Sequence, residues 1–189
     1  MNVYDFDGTI YGGESSCDFF FYCLKRYPKK MWKYLFKAGF YGLGYVLRLV
    51  KKIKFKQKFL SFVREFSNIE SLCEDFWQVN QAKVHKWYLE KKQPTDIIIS
   101  ASPEFLLKPI AKMLGACGLI ASRVERRSGV FYGPNCHGKE KVRRFKEIYP
   151  NAHIDEFYSD MNSDRFMGAL ADKAYKVKGE KVTEWVIKK

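Results

Sequence analysis

Five cysteines, Cys17, Cys23, Cys73, Cys117 and Cys136, are scattered along 189 residues without a Cys-x-x-Cys pair. Neither a disulfide framework nor a structural zinc site is therefore available to hold the fold. Histidine is scarce as well: His85, His137 and His153 lie far apart, and Cys136 beside His137 is too little for a metal centre. Long apolar runs are missing. The longest uncharged stretch in the first third, residues 38–47, is too short to span ~30 Å of hydrocarbon as a helix. Acidic residues are absent from Lys25 to Arg64, which holds 13 of the 34 Lys and Arg; the remaining 21 match the 21 Asp and Glu, so the whole formal charge of +13 sits in this segment. No repeat, low-complexity tract or signal peptide is recognised, and the expectation is a cytoplasmic protein.

The most informative feature present is Val3-Tyr4-Asp5-Phe6-Asp7-Gly8-Thr9. If Val3 and Tyr4 end a strand of a parallel sheet, the two carboxylates face the crevice where open α/β sheets bind ligands, and Gly8 permits a sharp turn. Like charges so close call for a divalent cation or for acid and base work. A bare Asp-x-Asp is equally an ordinary turn with a capping aspartate.

Three further segments bear on that choice. Residues 96–104, Asp-Ile-Ile-Ile-Ser-Ala-Ser-Pro-Glu, read as a buried strand. Its end offers Ser100 as a phosphate ligand, with Ser102 as helix N-cap and Pro103 as the first helical residue. Residues 136–142 lead into a helix with Val142, Phe145 and Ile148 on one stripe. Lys141, beside that stripe, is the lysine able to reach a site, whereas Lys139 stays solvated. Residues 154–164 form a strand that runs into acids, where Asp160 and Asp164 flank one loop and Asp155 and Glu156 cap or solvate the strand's start.

Order, strand placement and residue type together resemble the four motifs of the haloacid dehalogenase superfamily, in the phosphoserine phosphatase-like branch. The resemblance covers most of residues 1–12 and 95–178. It implies a doubly wound, Rossmann-like, mostly parallel sheet formed by residues 1–12 and 94–189, with residues 13–93 inserted as an α-helical cap. It also implies an Mg²⁺-dependent phosphatase. In that reading Asp5 is the nucleophile that becomes an aspartyl-phosphate, and Asp7 the general acid and base. Ser100 and Lys141 bind the phosphate, while Asp5, the Asp7 carbonyl and Asp160 hold the metal and Asp164 supports it. Ser159, where the family usually has glycine, and Met161, at an often small position, put the fine geometry of the metal loop in question. Glu14 occupies the place of a carboxylate that contacts the substrate's amino group, although it could instead cap a helix.

Residues 13–93 show helical periodicity at 19–24, 32–49, 55–66 and 72–89. Aromatic residues alternate with lysines through the basic segment, which suits an acidic substrate, an anionic membrane surface or, with no recognisable motif to support it, nucleic acid. Packing inside the cap with solvated lysines is the plain alternative. The substrate is expected to be either a small phosphorylated metabolite of the phosphoserine kind or a lipid phosphate, with peripheral contact at the inner face of a membrane. The rival from another class is a non-enzymatic adaptor that binds membrane or nucleic acid through the cationic cap. Two local expectations complete the reading: a hairpin over residues 123–133, and a short peripheral helix over 180–189 after Gly179.

Overall fold

The structure, a computed structural model, describes residues 1–187. Strands β1 (Asn2–Tyr4), β2 (Ile97–Pro103), β3 (Gly118–Ser122), β4 (Ile154–Ser159), β5 (Ala171–Lys178) and β6 (Lys181–Glu184) form one sheet in the order β3-β2-β1-β4-β5-β6. The first five are parallel, and β6 folds back antiparallel on β5. Strand β1 is short and central, paired to β2 through Val3 with Ile97 and to β4 through Val3 with Phe157. This is the expected doubly wound, Rossmann-like architecture. Chain order reverses at β1, so the crevice beyond its carboxyl end lies between connections that leave in opposite directions.

Alternation along the strands assigns two cores. Val3, Ile97, Ile99, Ile120 and Phe157 face one side, where helices α7 (Lys139–Ile148) and α8 (Arg165–Gly168) cover them with Phe145 and Met167. Tyr4, Ile98, Ala121 and Tyr158 face the other side, beneath α6 (Glu104–Leu114) and the helices inserted between β1 and β2. Tyr4, Tyr158 and Tyr175 stack across neighbouring strands, with ring centroids 4.7 and 4.8 Å apart.

The insertion consists of α1 (Ser15–Arg26), α2 (Pro28–Val46), α3 (Lys52–Leu60), α4 (Ile69–Asn80) and α5 (Lys86–Lys91), with 3₁₀ turns at Ser61–Glu65 and Gln81–Lys83. Its buried Phe19, Phe20, Phe62, Phe76 and Trp77 belong to the same apolar cluster as Tyr4 of the sheet and Phe6 just beyond it. The Trp77 Nε1 donates to the Leu106 carbonyl at 2.6 Å, which fixes α4 against α6. Proline at the first position starts α2. The helix ends with Arg48 at φ 59°, a left-handed conformation usually taken by glycine.

Three local expectations are corrected and one is met. The periodicity over 72–89 is broken at Val84, which leaves the helical path to bridge Tyr11. Residues 123–133 make the expected hairpin in short form, with Val124 bridged antiparallel to Phe131 and the Glu125 and Tyr132 N–H groups donating to the Val130 and Arg123 carbonyls. The residues after Gly179 make β6 and then an irregular stretch; Lys188 and Lys189 of the expected helix lie outside the described residues. Ser102 does not cap α6. Strand β2 continues through Pro103, which occupies the N-cap position itself, so the Ser102 side chain is left facing the crevice.

Candidate active site

Asp5 lies one residue beyond β1 and extends the ladder by donating its N–H to the Tyr158 carbonyl at 2.9 Å. Its buried carboxylate accepts from the Lys141 ammonium at 2.7 Å. Lys141 enters from the first turn of α7 and also donates to Asp164 at 2.6 Å. Ser159 donates to the same Asp164 oxygen at 2.9 Å and accepts the Met161 N–H at 3.0 Å. The serine that replaces the usual glycine thus anchors Asp164, while the Met161 side chain is half exposed.

Burial pushes the Asp5 carboxyl up, and Lys141 opposes that push. Burial alone would pull Lys141 down, yet Asp5 and Asp164 hold it above the ordinary lysine range. These tendencies conflict. Contacts of 2.6 and 2.7 Å to two carboxyl groups favour the charged form of Lys141. Arg144, three residues on, is buried against the Ala121 and Pro134 carbonyls and locks α7 in the register that aims Lys141 inward.

Asp7 sits at the junction of sheet and insertion. It accepts the Ser15 N–H at 2.6 Å and the Ser102 hydroxyl at 2.5 Å, with Ser100 Oγ 3.5 Å away. Ser100 Oγ itself accepts the Ser102 N–H at 3.0 Å. Glu14 stands at the N-cap of α1 but makes no side-chain cap, so the capping alternative fails. It lines a crevice of about 180 Å³ with Asp5, Asp7, Ser100, Lys141 and Asp164. Burial, then Asp7 and Asp160, raise its carboxyl against Lys56 and Lys52.

Asp160 is placed differently. Its N–H donates to Thr9 Oγ1 at 3.0 Å, its carbonyl accepts from Lys176 at 2.9 Å, and its side chain packs on Gly8 and lines the adjoining depression. A Cβ on Gly8, whose φ is +70°, would lie 2.5 Å from Asp160 Oδ2. Burial raises the Asp160 carboxyl, and it feels both Asp164 and Lys141, which sets it within electrostatic reach of the buried pair.

The donor set is consistent with a hard divalent ion. Asp5, the Asp7 carbonyl and Asp160 offer oxygen alone, and burial raises both carboxyl groups. Asp164 Oδ1 is buried with no hydrogen-bond partner among the described residues.

Sequence reasoning missed several residues of this crevice. Ser102 reads from the Ser-Pro pair as a helix cap. Lys52 and Lys56 were hidden in a basic run, although their i, i+4 spacing on one helical face was a usable signal. The Lys56 ammonium donates to the Ala101 carbonyl and to Asn135 Oδ1, and burial, with Lys52 adding, lowers it to about 8. His137 also lines the crevice, its imidazole lowered by burial and by Lys52.

The family model of the haloacid dehalogenase-like hydrolases matches residues 3–169. Protein CicA of Caulobacter vibrioides is 38% identical over 88 residues, which cover 43% of this chain and 40% of that protein. The match thus spans less than half of either chain. A Bordetella pertussis protein of unknown function superposes with a TM-score of 0.75 at 18% identity, over 92% of this chain and 87% of that one. A probable phosphoserine phosphatase from Vibrio cholerae gives 0.65 at 9% identity, over 92% and 55%. A phosphoserine phosphohydrolase-like protein from Francisella tularensis gives 0.56 at 15%, over 92% and 86%. At these identities the structural likeness speaks to the fold, and the family match to membership: the chain belongs to the haloacid dehalogenase-like hydrolases.

Proposed function

We propose that this member of the haloacid dehalogenase-like hydrolases is a magnesium-dependent phosphomonoesterase working through a phosphorylated Asp5. One observation carries the reading: a lysine with 2% side-chain exposure is held between two buried aspartates at the carboxyl end of the central strand. Removing three charges from water is costly, and their mutual attraction recovers that cost only in part, so such a cluster is poor value for stability alone. It is well suited to a carboxylate that must meet an anionic phosphate, because Lys141 offsets the repulsion.

Asp5 would attack phosphorus, and the bond to the leaving oxygen would break as the acyl phosphate forms. Asp7 would give a proton to that oxygen and later take one from the water that hydrolyses the acyl phosphate. Ser100 and Lys141 would hold phosphate oxygens. Asp5, the Asp7 carbonyl and Asp160 would hold Mg²⁺, with Asp164 in support; when bound, the ion supplies positive charge to the phosphoryl oxygens. Residues 13–93 would act as a cap over a catalytic core of 1–12 and 94–189, excluding water from the crevice.

The leaving group is either a small polar metabolite or a lipid. Glu14 between Lys52 and Lys56 suits a zwitterionic headgroup. A second cavity of about 180 Å³, walled by Phe55, Phe59, Leu60 and Phe131 and sharing Glu14, Lys56 and Ser102 with the crevice, favours an apolar portion. Hydrolysis of p-nitrophenyl phosphate with Mg²⁺ and with chelator tests the reaction class, and a panel of phosphorylated metabolites and lipid phosphates tests the leaving group. Metal-dependent turnover is expected; none at any pH from folded protein would return the chain to the adaptor reading.

A further inference from the structure

Helix α2 is apolar on two opposite sides. Met31 and Tyr34 turn inward. On the far side Trp32, Phe36, Phe40, Leu43 and Val46 recur at steps of three and four residues and stand in solvent, with Phe36 70%, Phe40 76%, Leu43 61% and Val46 75% exposed. Leu47 and Leu49 prolong the stripe beyond the helix, exposed as well. A contiguous apolar face of this kind marks a surface that meets something.

We propose that this outer face of α2 docks on an anionic lipid bilayer, lying along its interface rather than through it. Charge selects the occupant. The stripe is set in the one segment, Lys25 to Arg64, that carries 13 basic residues and no acid; Lys29 lies on its turns, and Lys33 beside it is paired with Glu65 at 2.9 Å. A second copy of the chain would bring a like-charged segment against it, whereas anionic headgroups neutralise the lysines while acyl chains receive the apolar side chains. Leu43, Val46, Leu47 and Leu49 offer no ring to a nucleobase, so stacking on single-stranded nucleic acid explains less of the face. No helix among the described residues is long and apolar enough to cross a membrane, which agrees with interfacial attachment. The docking is independent of the chemistry assigned to Asp5.

Co-sedimentation with sucrose-loaded vesicles tests it, using phosphatidylcholine alone and a three-to-one mixture with phosphatidylglycerol, at low and high salt. The protein is expected to pellet with the anionic vesicles at low salt and to release in part at high salt. Replacing Trp32, Phe36 and Phe40 together by serine should weaken binding at least tenfold, with the thermal melt and p-nitrophenyl phosphate turnover in solution unchanged. Lys29→Gln should weaken it about fivefold at low salt only. Wild-type protein that stays in the supernatant at low salt overturns the proposal, as does equal pelleting of the serine variant or of the glutamine variant. A wild-type dimer by light scattering that becomes monomeric in the serine variant, with no vesicle binding, assigns the face to a second copy and also overturns it.

Discussion

The carboxyl end of the sheet and the outer face of α2 break the same rule in opposite directions. At the first, charges are buried: Asp5, Lys141 and Asp164 lie in the interior, and a single Asp164 oxygen lacks a partner there among the described residues. At the second, large apolar side chains stand in water. Ordinary folding energetics favours neither, since buried charge loses hydration and exposed apolar surface forgoes burial. The first arrangement makes sense as stored electrostatics for a reaction, the second as a surface awaiting a partner. Substitutions at the two places should therefore part company, the former moving turnover and stability together and the latter moving neither in solution.

The largest effect is expected at Asp5. Asp5→Asn keeps shape and hydrogen bonding but removes the nucleophile, and kcat for p-nitrophenyl phosphate should fall by roughly 10⁴-fold or more. A folded Asn variant with near wild-type turnover would break the comparison at its root. Lys141→Met follows. Loss of the ammonium leaves two buried carboxylates facing each other, which should cost about 3–5 kcal/mol in denaturant titration at neutral pH. Part of that loss should return on acidification, as one carboxylate takes up a proton. An increase in stability with turnover intact would mean that the buried charges have no functional role.

Gly8→Ala comes third. The positive φ and the 2.5 Å approach to Asp160 Oδ2 should cost on the order of 1–3 kcal/mol and raise the Mg²⁺ concentration needed for half-maximal rate severalfold. Lys56→Gln separates binding from chemistry. With its ammonium lowered to about 8, Lys56 is a cation below that pH and neutral above it, so KM for an anionic substrate should rise as pH passes 8, and the Gln variant should lose that limb. Stability has the opposite sense: the unfolded chain holds this proton up to the ordinary value of 10.5, so the Lys56 contribution to folding improves with pH between about 8 and 10.5. The smallest effect is at Arg48, where glycine in the left-handed position should stabilise the chain by roughly 0.5–1 kcal/mol, read as a higher thermal midpoint.

Much of this was legible in the sequence. The β-branched run at 97–99 and the apolar Val3 and Tyr4 had only one comfortable environment, the middle of a parallel sheet, which left Asp5 at its end. Lys141 was marked by its place beside the buried stripe of α7. The less legible parts depended on exact chain length within elements. Ser102 was expected to cap because Ser-Pro usually starts a helix, but β2 runs on through Pro103 and turns that hydroxyl onto Asp7. Lys56 was one basic residue among 13 until α3 packed it over the crevice. Asp160, expected to hold a metal with Asp5, is gripped by Thr9 on the Gly8 side of the crevice, a placement that depends on the exact length of the loop after β4. The doubled apolar face of α2 could not be read from periodicity alone, because a helix apolar all round is ordinarily a buried one.

The most direct test of the central claim is acid-quenched mass spectrometry after brief mixing with Mg²⁺ and a turned-over phosphate ester. One phosphoryl group is predicted on the peptide that carries Asp5, chased away by further incubation and absent from Asp5→Asn. Turnover with the phosphoryl group on another residue would contradict the account.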